Sequence, residues 1–323
     1  MALLEVSDLR VHYATSRGPV RAVDGVSFAL DPGERLGLMG ESGSGKSTAA
    51  LALMRLIRPP GHIDSGRVYL DGEDLMTLSE QRLREARLAQ IALISQGAMN
   101  SLHPVMRIGD QVHDGVRHHG ARMSRSEWQH RLNGLLARVG LRPEVASAYP
   151  HHLSGGMKQR VCIAIAISLE PKVIIADEPT SALDVVVQRT VMETLRRVQE
   201  DIGAAVILIG HDMGLMAQFA DRVAVMYAGR LLEEGPVRDL FQRPGHPYTQ
   251  LLVASLPTLS GKAQFRGAPG FPPSLLDLPP GCVFHPRCPH VMDICRRELP
   301  PAVPISERHW AACFLLRAPE VRQ

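Results

Sequence analysis

The chain has 323 residues, 45% hydrophobic and 21% charged, which calls for a packed core and excludes wholesale disorder. Thirty-six basic against 33 acidic side chains leave a net charge of +3, too little for a basic stripe, so no nucleic-acid partner is expected. No apolar run reaches the roughly 18 residues of a membrane span, and the start, MALLEVSDLRVHY, has neither the basic nor the apolar region of a signal peptide.

Residues 3–12 and 20–30 alternate apolar and polar side chains and predict two antiparallel strands. Residues 35–39 form a short apolar strand, and a helical pattern at 46–57 is stopped by Pro59, Pro60 and Gly61. A strand and turn are expected at 66–72 and a further short strand at 91–96; residues 97–170 read as mostly helical. Apolar strands at 173–176 and 205–209 flank a helix over 185–204, a hairpin turns at Ala228-Gly229, and 247–255 reads as a last short helix. Strands alternating with helices predict an α/β fold with a parallel sheet covered on both faces. The core is expected to end near Ser255. Half of the 24 prolines and four of the five cysteines lie beyond it, where loops and short pieces are predicted.

Between the 35–39 strand and the helix that follows, Gly40-Glu41-Ser42-Gly43-Ser44-Gly45-Lys46-Ser47 matches G-x-x-x-x-G-K-S/T, with Thr48 next in line. Glycines let backbone N–H groups turn inward around phosphate oxygens, and the helix N-terminus adds its positive dipole end. Lys46 would reach the β- and γ-phosphates, and Ser47 would ligate Mg²⁺. Lys46 is also the only lysine in the first 157 residues of a chain with 32 arginines and four lysines, as expected where a compact ammonium is required.

Nucleotide chemistry of this kind needs a second carboxylate for Mg²⁺ and a group for the attacking water. Asp177 and Glu178 end the apolar run Val173-Ile174-Ile175-Ala176 and supply both: Asp177 toward the metal, Glu178 as general base.

The segment Leu153-Ser154-Gly155-Gly156-Met157-Lys158-Gln159-Arg160 resembles the signature of ATP-binding cassette (ABC) ATPases, and the other motifs follow in that family's order. The resemblance implies a P-loop ATPase with an antiparallel β subdomain and a helical subdomain at about 97–165. It makes Tyr13 the ring that stacks on adenine and Gln96 the Q-loop glutamine, which contacts Mg²⁺ and the water. Asp184 becomes the D-loop aspartate and His211 the switch histidine at the γ-phosphate. It further implies that Ser154, Gly155 and Gly156 cover ATP held by a second cassette. One signature per chain then requires a partner ATPase subunit, expected to be a paralogous chain in a heterodimer.

Residues 97–106, the run 176–185 and His246-Pro247-Tyr248-Thr249 resemble the dipeptide and oligopeptide importers of that family. Departures occur at Ser95, Gly97-Ala98, His103 and Gly210, outside the catalytic groups. The resemblance implies two transmembrane permease subunits, an extracytoplasmic substrate-binding protein, and a peripheral place on the cytoplasmic face of the inner membrane. The same ATPase could instead energise uptake of an oligosaccharide, an opine or a metal complex, or act as a soluble cassette outside transport. The chain is expected to divide into a cassette at 1–255 and an extension at 256–323. Cys282, Cys288, Cys295 and Cys313 are spaced C-x₅-C-x₆-C-x₁₇-C, and four thiolates suit either zinc or an iron–sulfur cluster. The spacing chooses neither; the resemblance favours a 4Fe–4S cluster.

Overall fold

The computed structural model describes residues 2–97, 100–120, 123–255 and 270–317; the reading of Ala98 and parts of the tail lie outside them. In chain order the strands are β1 (Leu4–Thr15), β2 (Gly18–Leu30), β3 (Arg35–Met39), β4 (Gly61–Leu70), β5 (Glu73–Asp74), β6 (Ile91–Ile94), β7 (Val173–Asp177), β8 (Ala205–Gly210), β9 (Arg222–Tyr227), β10 (Arg230–Pro236), β11 (Ala302–Ser306) and β12 (His309–Ala312). The helices are α1 (Lys46–Leu53), α2 (Glu80–Ala86), α3 (Ile108–His118), α4 (Arg125–Arg138), α5 (Gly155–Ala166), α6 (Val185–Ile202), α7 (Met213–Phe219), α8 (Val237–Gln242) and α9 (Pro247–Ala254).

The chain divides into two compact units. The first takes residues 1–3, 30–34 and 77–208. Its strands β6 and β7 are parallel, Ile91 opposite Val173 and Ile94 opposite Ala176, and β8 lies on the far side of β7. The residues of β7 from Val173 to Ala176 have no accessible surface, as parallel strands covered on both faces require. Helix α6 buries Val191, Leu195 and Val198 along one stripe, and Gln199 on the same stripe donates to the carbonyls of Gly33 and Ala204.

The second unit holds residues 4–29, 35–76 and 209–323. It contains an antiparallel sheet in the order β2-β1-β4-β5, and β3 running parallel to β9. The β9–β10 hairpin turns where the sequence places it: Ala228 and Gly229 both have positive φ, 47° and 82°, the geometry of a two-residue hairpin turn.

Three expectations need correction. Helices α2, α7 and α8 were not anticipated, because each is six or seven residues long and too short to show a period. Their ends are nonetheless marked: Ser79 caps α2, and Asp212 caps α7 by accepting from the N–H groups of Gly214 and Leu215. The 61–70 strand is longer than expected and the 46–57 helix shorter. The core does not end near Ser255: the short pieces expected in the tail include paired strands, and Val283, Phe284 and Phe314 are buried. Strand β12 pairs antiparallel with β10, Glu233 opposite Ala311, and β11 pairs with β12 at the margin, where Pro304 is tolerated. A buried carboxylate locks this addition. Glu233 accepts from the backbone N–H groups of Gly245 and His246 and lies 2.7 Å from Nε2 of His309 on β12.

Candidate functional site

In the second unit, β3 leads into the glycine loop and α1 leaves it. Two of its glycines are obligatory. Gly40 has φ 155°, and a Cβ there would fall 2.0 Å from the carbonyl oxygen of Met226; Gly45 has φ 102°, with the Ala22 carbonyl equally close. No L side chain fits either place. The ammonium of Lys46 is turned into the loop. It donates to the carbonyls of Gly40 and Glu41, each at 2.8 Å, and to Oγ of Ser44 at 3.3 Å. Ser42, Gly43, Ser47 and Thr48 are the remaining members of the predicted segment. Tyr13 sits on β1 opposite Gly61, its ring so close over that glycine that a Cβ would meet it at 2.6 Å. His211 follows β8 and is exposed.

In the first unit, β6 and β7 carry two of the predicted catalytic residues to one place. Nε2 of Gln96 donates to Oε2 of Glu178 at 3.0 Å. Asp177, the last residue of β7, is 5% exposed. Glu178 has φ 45°, a left-handed backbone that bends the chain sharply as it leaves the strand. Ser154 and Asp184 both cap helices: Ser154 accepts from N–H of Met157 at the start of α5, and Asp184 from N–H of Val187 at the start of α6. Gly156 faces Val187, whose Cγ1 would lie 2.5 Å from any Cβ added there, so the signature glycine and the segment after Asp184 are packed together. Ser154 and Gly155 remain exposed.

The four tail cysteines line one apolar cavity, together with His246, Phe284 and His290. The Cys282 N–H donates to the Cys295 carbonyl at 2.8 Å, tying two of them through the backbone. Burial pushes the thiols of Cys282 and Cys313 up, to about 11 and about 12, and raises Cys288 as well; nearby cysteines add to each rise. Cys162, on α5, is pushed by burial to about 12 and is an inert core thiol.

Sequence reasoning missed one group. Arg287, beside Cys288, places its guanidinium on the Glu41 carboxylate, Nη1 to Oε2 at 2.8 Å and Nη2 to Oε1 at 3.2 Å, and also donates to the Tyr227 hydroxyl. The Tyr248 hydroxyl accepts from the Glu41 N–H. A basic residue between two cysteines was the available signal; its carboxylate partner lies 246 residues away along the chain.

Comparison with known proteins agrees with these features. The ABC transporter family matches residues 23–181, and the oligopeptide/dipeptide transporter C-terminal region matches residues 232–295. The oligopeptide transport ATP-binding protein OppD of Bacillus subtilis is 43% identical over 99% of this chain and 91% of its own length. OppD of Salmonella typhimurium is 45% identical over 97% of this chain and 93% of its own length. Among solved structures, the ATP-binding cassette MJ0796, a dimer in a post-hydrolysis state with ADP and Pi, matches with TM-score 0.65 and 28% identity over 73% of this chain and 99% of that one. With a relative of this identity matched over nearly its whole length, the chain belongs to the ABC transporter ATP-binding proteins, in their oligopeptide/dipeptide branch, a family of ATP-hydrolysing subunits.

Proposed function

We propose that this chain powers a peptide importer by binding and hydrolysing ATP. The observation that carries the reading is the loop from Gly40 to Ser47. Its backbone admits no side chain at two glycines, and it folds around one ammonium. Such a loop presents N–H groups and a point charge to phosphates. In this reading Tyr13 stacks on adenine, Gly40 through Thr48 hold the phosphates, and Ser47, Gln96 and Asp177 hold Mg²⁺. Glu178 takes the proton of the attacking water as it adds to the γ-phosphorus, and ADP leaves with the β–γ bridging oxygen. His211 contacts the γ-phosphate. Ser154, Gly155, Gly156 and Asp184 serve the ATP of a second cassette, a paralogous chain.

Among the described residues no helix is long and apolar enough to cross a membrane. Two permease subunits would supply the channel, an extracytoplasmic binding protein would deliver the peptide, and the cassette would dock peripherally on the cytoplasmic face of the inner membrane. The cassette is assigned to 1–255 and the extension to 256–323.

For the tail, four thiols around one apolar cavity fit a metal centre held by Cys282, Cys288, Cys295 and Cys313. The likeness of the tail to the extensions of peptide-importer cassettes favours a 4Fe–4S cluster over zinc. When bound, such a cluster would supply a cross-link for a proline-rich segment and a one-electron couple.

The reading is tested by measuring ATPase activity of the purified chain against protein concentration, with and without its partner cassette. Specific activity should climb with concentration or with partner. Full turnover by a dilute monomer would overturn it.

A further inference from the structure

Glu41 is held at three separate atoms groups. Its carboxylate takes both Nη atoms of Arg287, its N–H donates to the Tyr248 hydroxyl at 3.0 Å, and its carbonyl accepts from Lys46 at 2.8 Å. The Arg287 side chain is 6% exposed and Glu41's 26%, so this ion pair is largely out of water. Removing the Glu41 carboxylate would leave the Arg287 charge where water reaches poorly. Behind the pair, the rings of Tyr227, Tyr248 and Phe284 pack at centroid distances of 4.7–5.3 Å. Phe284 also lines the four-cysteine cavity, and Arg287 directly precedes Cys288.

This is more than a tail resting on a surface. Tail docking needs apolar area and the β10–β12 pairing, and both are provided elsewhere. A forked guanidinium aimed at the second residue of the phosphate loop adds something different. A bidentate pair fixes orientation as well as distance. Through Glu41 it fixes the carbonyl that the Lys46 ammonium uses.

We propose that Arg287 is a positioning residue for the phosphate loop, through which the four-cysteine module sets the affinity of the loop for nucleotide. The proposal rests on the reading of residues 40–48 as the nucleotide site. With Arg287 in place, the loop is held in the geometry that receives phosphates. Without it, Glu41 is free to turn and Lys46 loses a fixed partner. Disturbing the cysteine module would shift the turn at 285–287 and act along the same line.

The test is equilibrium binding of a fluorescent ATP analogue to the full-length chain, alongside thermal melts. Arg287→Ala should weaken binding about tenfold, the scale expected when a binding group is misplaced by a fraction of an ångström. Arg287→Lys should recover part of the loss, since it restores charge without the fork. Glu41→Gln breaks the pair from the loop side and leaves the tail sequence intact, so it serves if the Arg287 variants fold poorly. If Arg287 acts through Glu41, the double variant should bind no more weakly than the worse single one. Cys288→Ser should weaken binding in the wild-type background and change nothing in Arg287→Ala. Wild-type affinity in Arg287→Ala and Glu41→Gln, with Lys46→Ala unable to bind, would overturn the proposal and leave the nucleotide site standing. Wild-type affinity in Lys46→Ala would overturn the nucleotide site itself.

Discussion

The side-chain amide of Gln96 holds the carboxylate of Glu178 at 3.0 Å. The two are 82 residues apart, yet each lies just past the end of one of two neighbouring parallel strands, β6 and β7. The contact orients the carboxylate without supplying a proton, which suits the role of general base proposed for Glu178.

Glu178→Gln should therefore bind ATP with ordinary affinity and turn over about 10²–10⁴ times more slowly, the usual contribution of a positioned base. Single-turnover hydrolysis beside equilibrium nucleotide binding separates the two effects. Wild-type turnover would remove Glu178 from its role. Gln96→Ala should also lower turnover, since it loosens the Glu178 carboxylate and removes one of the groups proposed to hold Mg²⁺, while the base itself stays.

Lys46→Ala should lose most nucleotide affinity, by about tenfold or more, because a charge-assisted contact to phosphate is removed. Binding of a fluorescent ATP analogue reads this directly, and unchanged affinity would count against the phosphate-loop assignment. Gly45→Ala should have a comparable effect for another reason, the clash of its Cβ with the Ala22 carbonyl.

The fold should lose stability as pH falls below about 6.5. Burial lowers the His246 imidazole from its ordinary value to about 3, and its Nδ1 accepts from the Tyr248 N–H in the neutral form. The unfolded chain takes up a proton near pH 6.5 that the folded chain refuses until about pH 3. This contribution is thus full above pH 6.5 and drains away below it, by about 2 kcal/mol at pH 5. Urea melts at pH 5, 6 and 7 check this. His246→Asn, which keeps a capping acceptor but does not titrate, should flatten the dependence; an equally steep slope in that variant would assign the effect to other groups.

Anaerobically purified protein should show a broad absorption band near 400 nm from the proposed tail cluster, lost in Cys288→Ser. Loading iron and sulfide into stripped protein should release protons, because the thiols of Cys282, Cys288 and Cys313 are held protonated above their ordinary range and must ionise to ligate. One tightly bound zinc per chain, with no such band, would replace the cluster with a single ion.

The amino-acid order alone carried whatever depends on neighbours along the chain. The run from Gly40 to Ser47, the strand ending in Asp177 and Glu178, the serine and glycines opening α5, and the Ala228-Gly229 turn are all local patterns, and local backbone geometry follows from local residue types. The short helices α2, α7 and α8 lacked the length for a readable period, β11 was hidden by a proline that only a marginal strand accepts, and the four residues of β12 were too few to show an alternation. Long-range pairings were decided by the tertiary structure alone: Gln96 with Glu178, Glu233 with His309, and Glu41 with Arg287. A carboxylate and a guanidinium carry no mark of their partner in sequence. Which of many surface charges meet out of water is settled only when strands far apart in the chain pack side by side, because the cost of burying one charge is offset only by the other.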